Sequence, residues 1–257
     1  MRNTGRSTLR LLHYWWPMAL GWSIVVVVQR ATGRMAEPHG LVALLAGIVA
    51  AYSADRVLDP PSEGESRGVS RLLTGVGLIA AVLCGWAASH LPLGTVTLLP
   101  VLGLAALAYG HLKRTPLTKL VLLPLVWTWA SMALPFGEGS WFGWRAVATP
   151  IAAPLFCLVA AGCLLCDLKD EASDRDAGVR SLPVMAGPST TIRIAVLLAV
   201  AAAGLALLEH RPGIVVSAGV LGLSTLSPGL LATESTGPLL VDVILTLPGI
   251  LISTRVL

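Results

Sequence analysis

Long apolar blocks separated by short polar segments run along the whole chain. A bilayer core about 30 Å thick requires about 20 apolar residues in a helix, and nine blocks come close to that length. They span residues 12–29, 39–57, 71–90, 93–112, 117–135, 147–166, 190–208, 212–229 and 237–254. The pattern predicts nine transmembrane helices, with eight as the alternative because the second, third and eighth blocks have soft edges.

Composition excludes a water-soluble protein. Of the 257 residues, 55% are hydrophobic and 12% are charged, and the mean hydropathy is +0.78. Soluble domains carry about 25% charged residues. We therefore predict an all-α, polytopic membrane protein in which residues 1–257 form one domain, with little material outside the bilayer.

The basic residues predict the orientation, because cytoplasmic loops carry an excess of Lys and Arg. If the amino terminus and the loops after every second helix lie on one side, that side holds thirteen of the 18 Lys and Arg residues. The other side holds five, which are Arg30, Arg34, Arg145, Arg211 and Arg255. We expect an integral protein of a bacterial inner (plasma) membrane with a cytoplasmic amino terminus. The net charge of +4 is interpreted as a topology signal and indicates no nucleic-acid partner.

The segment "CDLKDEASDRDAGVRSLPV", residues 166–184, follows an almost uncharged block and is rich in aspartate. Asp167, Asp170 and Asp174 are spaced by three and four residues, which places them on one face of a helix. Gly178 is expected to end that helix. Taken alone, a solvated loop with alternating charges is an equally good interpretation of this segment.

A second acid pair weakens the loop interpretation. Asp55 and Asp59 are four residues apart at the end of another apolar block. Both acidic stretches then lie at helix carboxyl ends, whose partial negative charge disfavours carboxylates. A divalent cation removes this conflict, and Mg²⁺ prefers carboxylate oxygens while leaving room for substrate phosphate. We expect the two stretches to hold Mg²⁺ and a diphosphate, whose remaining charge Lys169, Arg175 and Arg180 would neutralise.

A third polar segment, "AYGHLKRTPLTK", follows the fourth block. Tyr109 and Lys113 are four residues apart, and Lys113 and Arg114 supply positive charge where a phosphate would need it. Positive-inside topology alone also explains these two cations. Because the acid pair recurs four helices later on the same side, the chain suggests two four-helix halves, residues 12–114 and 117–229, followed by a last helix over 237–254.

The second aspartate segment resembles a motif of the UbiA-type intramembrane prenyltransferases. That motif reads D-x-x-D-x-x-x-D, then a glycine and Thr/Ser-Leu-Pro, and residues 167–183 are in register with it. Tyr109 and Lys113 match the family's Y-x-x-x-K. The nine-block hydropathy pattern covers essentially the whole chain, so the resemblance implies a UbiA-like helical bundle around a central cavity.

The first aspartate segment departs from the family pattern, which reads N-x-x-x-D-x-x-x-D. Asp55 and Asp59 are present, but Ala51 stands at the asparagine position. The family's next loop is rich in arginine and proline, whereas here it reads "PPSEGESRG" and offers only Arg67 as a phosphate ligand. The chain therefore looks like a divergent branch.

The resemblance implies a Mg²⁺-dependent enzyme that transfers an isoprenyl group from a polyprenyl diphosphate to a lipophilic acceptor, often an aromatic ring. The implied Mg²⁺ ligands are Asp55, Asp59, Asp170 and Asp174. The implied catalytic group comprises Asp167 as a supporting ligand or base, Tyr109 to orient phosphate or shield the cation, and Lys113 to contact phosphate. The implied substrate-binding set adds Arg67, Arg114, Lys169, Arg175 and Arg180.

Two alternatives stay open beside the transferase. A terpene cyclase of the same fold would act on a prenyl diphosphate without an acceptor, and the shortened first loop favours it. A non-catalytic membrane scaffold or carrier would have kept the fold and lost the chemistry. The isolated intramembrane Asp242 is either functional or a hydrogen-bonded helix contact, and Trp127 is interpreted as an interfacial anchor.

Overall fold

Most of the described part of the chain is helical. The structure is a computed structural model that describes residues 4–58, 67–112, 115, 118–233 and 236–254. For residues 4–15, 58, 67–69, 109–112 and 119, it describes the backbone alone. Within these ranges the backbone forms helices and turns and no strand, which confirms the all-α prediction.

The helices follow one another with short connections. They are α1 (Thr4–Thr32), α2 (Pro38–Leu58), α3 (Arg67–Ala88), α4 (Leu93–Val96), α5 (Leu98–Leu112), α6 (Leu123–Phe136), α7 (Trp144–Val147), α8 (Ala152–Cys166), α9 (Glu171–Asp176), α10 (Leu182–Ala186), α11 (Pro188–Leu208), α12 (Pro212–Ser224), α13 (Pro228–Leu231) and α14 (Thr236–Ser253). A π-helical turn, Thr118–Leu122, precedes α6, and 3₁₀ turns span Trp141–Gly143 and Asp167–Asp170.

Every predicted block contains helix, but the blocks differ in their ability to cross a bilayer. Five segments are long and apolar enough, namely Pro38–Val57, Ser70–Ala88, Ala152–Asp176, Pro188–Leu208 and Thr236–Ser253. Leu93–Ala108, Leu120–Phe136 and Pro212–Ser224 are apolar but shorter. The chain is thus an integral membrane protein, while the count of nine spans and the division into two halves stay predictions.

The first and last long helices pack together and close the bundle. Ser23 of α1 donates its hydroxyl to the carbonyl oxygen of Thr246, 3.1 Å away, and accepts the N–H of Gly249 at 3.0 Å. Since lipid supplies no hydrophobic drive between helices, close packing and such hydrogen bonds hold membrane bundles together. Elsewhere, α11 packs on α8 and α12 through buried small residues that include Ala195, Ala199 and Ala202.

Charged residues at one end of the bundle cap helix termini. The Arg34 guanidinium donates to the carbonyl oxygen of Phe136, the last residue of α6, at 2.7 Å, and Arg211 donates to that of Ala31 in the last turn of α1 at 2.9 Å. Cations favour helix carboxyl ends. Glu37 precedes α2 and accepts the N–H of Gly40, so it caps the opposite kind of terminus. Arg34 and Arg211 share this end, as the predicted alternation requires.

Candidate active site

The second aspartate segment does not continue α8 as one regular helix. Asp167 follows the last residue of α8, and the chain tightens into the 3₁₀ turn Asp167–Asp170 before α9 begins. In a 3₁₀ turn, side chains three residues apart eclipse one another, so Asp167 and Asp170 still share a face. Asp174 lies four residues further on, within α9. The geometry is compatible with the predicted common face, and the predicted helix continues from α8 into α9 through this 3₁₀ turn.

Gly178 ends α9 in the way the sequence predicts. Its φ of 67° lies in the left-handed region. Its N–H bonds the Arg175 carbonyl oxygen at 3.2 Å, and the Val179 N–H bonds that of Asp174 at 2.8 Å. This pair of bonds is a Schellman motif. It turns the chain back, so that α10 packs against α9 and the 3₁₀ turn.

The returning segment contains a buried hydroxyl just before α10, the helix that packs against α9 and the 3₁₀ turn. Ser181 lies immediately before α10 and is 1% exposed. Its Oγ has no hydrogen-bond partner among the described residues. A buried polar atom without a partner costs about 1–3 kcal/mol. In the sequence, Ser181 stands out only as the serine of the Ser-Leu-Pro motif, and its spacing gives no signal of its burial.

The three carboxylates differ in their access to solvent. Asp167 is 5% exposed, and Asp170 and Asp174 are partly buried. One carboxylate oxygen each of Asp167 and Asp174 is shielded from solvent. In addition, the Lys169 ammonium lies 3.1 Å from Oδ1 of Asp170. The acidic face is therefore directed at least partly into the protein.

The predicted cations near this segment are not equivalent. The Lys169 side chain is 22% exposed, whereas that of Arg175 is 64% exposed and pairs with Glu171 at 2.6 Å. Arg180 is exposed. Of these three, Lys169 is the one enclosed beside the aspartates. Arg175 is engaged in a surface pair one turn away on its own helix.

Asp55 lies in the last turn of α2 and is partly buried. Ser53, at 6% exposed, faces α3, where a Cβ on Gly77 would lie 2.7 Å from it. Tyr52 faces α6 instead, and its ring meets that of Trp127 edge-on at 6.4 Å. Because Asp55 is three residues after Tyr52, it belongs to the same side of α2.

Helix α6 contacts both helices that lead into the aspartate segments. Both α2 and α8 pack against it, and its buried residues include Thr128 and Ser131. Trp127 is only 9% exposed, so its interpretation as an interfacial anchor was wrong. Periodicity could not reveal this, because it places Trp127 in a helix without showing which side of that helix is buried.

Several predicted residues lie outside the described part of the chain. Asp59, Lys113 and Arg114 belong to this group. The backbone of Tyr109 lies in the last turn of α5, and that of Arg67 is the first residue of α3. Their roles stay predictions.

The chemistry of the donors fits a hard divalent cation. Carboxylate oxygens are the ligands that Mg²⁺ takes from proteins, and the second segment contains one solvent-shielded carboxylate oxygen in each of Asp167 and Asp174. Among the described residues, no three His, Cys, Asp or Glu side chains are close enough together to hold a metal by themselves. A ligand set drawn from both segments therefore depends on Asp59 or on substrate oxygens.

A cavity of about 430 Å³ lies away from the aspartates, between the ends of α1 and α14. Its lining includes Val26, Arg30 and Ile252 and no carboxylate. Arg30, in the last turn of α1, lies at the same end of the bundle as Arg34 and Arg211. This cavity is not the predicted central one, which stays a prediction.

Comparison with known proteins supports the fold, and the family match includes the second aspartate segment. The structure is similar to one described as "Apo structure of a UbiA homolog from Aeropyrum pernix K1", with a TM-score of 0.70 and 18% sequence identity over 92% of this chain and 98% of that one. No curated protein sequence matches the chain. The sequence model of the UbiA prenyltransferase family matches residues 65–236, which include the second segment and exclude the first. Since that match covers more than half of the chain, the protein belongs to the UbiA prenyltransferase family.

Proposed function

We propose that this protein transfers an isoprenyl group from a polyprenyl diphosphate to a lipophilic acceptor within the membrane, in a Mg²⁺-dependent reaction. The observation that supports this most strongly is the folded second aspartate segment. There, the spacing of Asp167, Asp170 and Asp174 favours one common face, and Ser181 follows the turn with a buried hydroxyl. On this proposal, groups that bind a cation and groups that bind an anion lie at the same end of the apolar bundle.

Asp55, Asp59, Asp170 and Asp174 would hold the Mg²⁺. When bound, the metal supplies positive charge for the oxygens of the departing diphosphate. The remaining charge of the diphosphate falls to the protein. Lys169 is enclosed next to Asp170 and can meet a phosphate oxygen, and Ser181 can donate its unused hydroxyl hydrogen. Lys113, Arg114, Arg67 and the more exposed Arg175 and Arg180 complete the proposed substrate-binding set.

The reaction breaks the carbon–oxygen bond of the allylic diphosphate, and the electron pair leaves with oxygen. An electron pair of the acceptor then forms the new bond to the allylic carbon, and the acceptor loses a proton. Asp167, which is 5% exposed, is the proposed base or supporting ligand. Tyr109 would orient the phosphate or shield the cation.

The apolar bundle keeps water away from the allylic cation. The edge-on pair of Tyr52 and Trp127, one turn before Asp55, adds aromatic faces near the first segment. Aromatic faces attract cations within about 6 Å. Among the described residues, this aromatic pair is the feature near the first aspartate segment that best suits a cationic intermediate.

Diphosphate release by the purified protein in lipid nanodiscs tests the proposal. Farnesyl and geranylgeranyl diphosphate are supplied with and without Mg²⁺ and with and without a lipid extract of the source cells. We expect Mg²⁺-dependent release that requires the extract, with the label recovered in a prenylated lipid. Release without extract, together with a cyclic product, would instead identify the cyclase. Binding without any release would identify a carrier.

We also propose that the aspartate segments and the amino terminus face the cytoplasm of a bacterial inner membrane. The excess of Lys and Arg on that side supports this orientation. Reporter fusions after residue 60 and after residue 210 test it. A cytoplasmic signal from the first position and an external signal from the second are expected, and the reverse result would invert the topology.

A further inference from the structure

The segment between α6 and α8, residues 137–151, has an unusual backbone. Phe142 and Gly143 adopt φ values of 54° and 60° in succession, and the left-handed conformation costs a residue such as Phe142 about 1–3 kcal/mol. Gly143 is buried against α6, where a Cβ would overlap the side chain of Ala133. The contacts around the segment must therefore offset the strain at Phe142.

Two neighbouring helices supply those contacts. The Trp129 indole of α6 donates to the carbonyl oxygen of Phe142 at 2.7 Å. On the other side, a Cβ on Gly94 of α4 would overlap the carbonyl oxygen of Gly139, so α4 packs directly on the backbone of the segment. The conformation is thus determined by contacts with α6 and α4, and it does not depend on the side chains that the segment exposes.

The same backbone directs large aromatic side chains away from the bundle. Trp141 and Trp144 are 61% and 57% exposed, and Phe142 is exposed as well. Arg145 is exposed beside them, and its guanidinium carbon lies 5.8 Å from the centroid of the Trp144 ring. We call residues 141–145 the aromatic loop. A contiguous exposed apolar patch of this kind ordinarily marks a site of interaction.

The aromatic loop lies at the end of the bundle that arginines cap. Arg34 donates to the carbonyl oxygen of Phe136 and pairs with Glu138, just before the loop. Trp86, near the end of α3, is also exposed, and its ring centroid lies 5.7 Å from that of His39 in the first turn of α2. Exposed tryptophans from two parts of the chain therefore share the end of the bundle opposite the aspartate segments.

Two physical limits place the aromatic loop at the surface of the membrane. Irregular backbone exposed to lipid is not tolerated in the hydrocarbon region, and the charge of Arg145 is costly there. In bulk water, by contrast, the aromatic patch would stay uncovered. The headgroup region satisfies both limits, because amphipathic indole rings concentrate there and a guanidinium can bind lipid phosphate.

We propose that the aromatic loop is an interfacial anchor, which binds the phospholipid headgroup region of the leaflet opposite the aspartate segments. Trp141 and Trp144 lie at the boundary between headgroups and acyl chains, and Arg145 pairs with lipid phosphate. Because the loop is packed on α6, it fixes the depth of a helix that contacts both α2 and α8. The anchor does not depend on turnover, so its test is independent of the proposed function.

Fluorine NMR measures the depth of the loop directly. The protein carries 5-fluorotryptophan at its eight tryptophan positions and is studied in lipid nanodiscs, where Trp127→Phe, Trp141→Phe and Trp144→Phe each identify one signal. Nitroxides are supplied in water, on the lipid headgroup or near the end of the acyl chain. We expect Trp141 and Trp144 to relax at least about threefold faster with the headgroup label than with the chain-end label, which lies about 15 Å deeper. The buried Trp127 is the control and should respond weakly to all three labels.

Each of the other results would overturn the anchor. Fastest relaxation with the water-soluble label would place the loop in solution, and fastest relaxation with the chain-end label would place it in the hydrocarbon region. Protection from all three labels, as expected for Trp127, would show that protein covers the loop instead of lipid.

Substitution of Trp144 tests whether the aromatic side chains hold the loop at that depth. Trp144→Ser should shift the relaxation of Trp141 at least about twofold towards the water-soluble label, whereas Trp144→Tyr should preserve the wild-type ratio, because tyrosine is also an interfacial residue. An unchanged ratio in Trp144→Ser would show that packing on α6 alone positions the loop and would overturn the anchoring role. If that variant does not fold, the labels in the wild type still decide the depth.

Discussion

The two ends of the bundle use charge in opposite ways. At the end that holds Arg34, Arg211 and Glu37, each charge opposes the partial charge of the helix terminus it caps. At the other end, Asp55 and Asp167 lie at helix carboxyl ends, where the backbone disfavours them. The first arrangement stabilises the fold by itself. A bound cation would make the second arrangement more favourable, so we call the first the structural end and the second the proposed functional end.

The largest expected effect concerns a carboxylate of the functional end. Asp174→Asn should lower turnover at least about 100-fold, since even residues that support metal ligands cost 10- to 100-fold, while the thermal midpoint without metal falls little. Asp176→Asn is the matched control, because Asp176 is exposed on the same short helix. Diphosphate release and tryptophan fluorescence on heating measure the two quantities. Full activity of Asp174→Asn would contradict the metal assignment.

The turn that folds the second segment back provides the next prediction. Gly178→Ala should destabilise the protein by about 1–2 kcal/mol, because Ala resists a φ of 67°, and nothing lies within 4 Å to add a steric effect. Gly178→Asn should recover most of the loss, since Asn tolerates this conformation. Gly204→Ala, in a helix with equally open space, should instead stabilise the protein slightly. Thermal midpoints of the three variants test the order.

A variant of Ser181 can distinguish a role in substrate binding from a role in protein stability. Ser181→Ala should leave the thermal midpoint unchanged or slightly raised, because its hydroxyl has no partner in the described part of the protein. KM for the diphosphate should rise about tenfold, as expected when a hydrogen bond to a charged group is lost. Ser189→Ala, an exposed serine nearby, is the control. A lower midpoint with unchanged KM would return Ser181 to a structural role.

The smallest effect is expected at the structural end. Burial alone raises the pKa of Glu37, but hydrogen bonds from His39 and from the backbone N–H groups of Gly40 and His39 bring that pKa below its ordinary value of 4.5. The carboxylate therefore stabilises the fold fully above pH 4.5, and this contribution is lost as pH falls through the lower folded-state pKa. Glu37→Gln should cost about 0.5 kcal/mol at pH 7, since the group is partly exposed.

Measurements at several pH values provide the control for the Glu37→Gln variant. The difference in thermal midpoint between Glu37→Gln and the wild type should disappear below the folded-state pKa, and diphosphate release should be the same in both at pH 7. A constant difference at all pH values would show that the amide disturbs packing instead. Loss of activity in Glu37→Gln at pH 7 would contradict the distinction between the two ends of the bundle.

Local patterns in the sequence explain why its helices and the turn after the second aspartate segment could be predicted. Apolar blocks locate the helices because helix formation in a bilayer depends on length and hydropathy. The spacing of Asp167, Asp170 and Asp174 determines a common face whether the backbone is α-helical or 3₁₀, and Gly178 ends its helix because few other residues adopt its φ. These features depend on neighbours in the chain, so the sequence alone predicts them.

The contacts between helices had to come from the tertiary structure. Periodicity assigns Trp127 to a helix but not to its buried side against Tyr52, and it gives no reason for Ser23 of the first helix to bond Thr246 and Gly249 of the last. Such pairs depend on which helices pack together and at what height, and glycines such as Gly249 permit the close approach. The amino-acid sequence by itself determined a helical membrane protein with an aspartate-rich end, whereas packing between distant segments decided which side chains surround those aspartates.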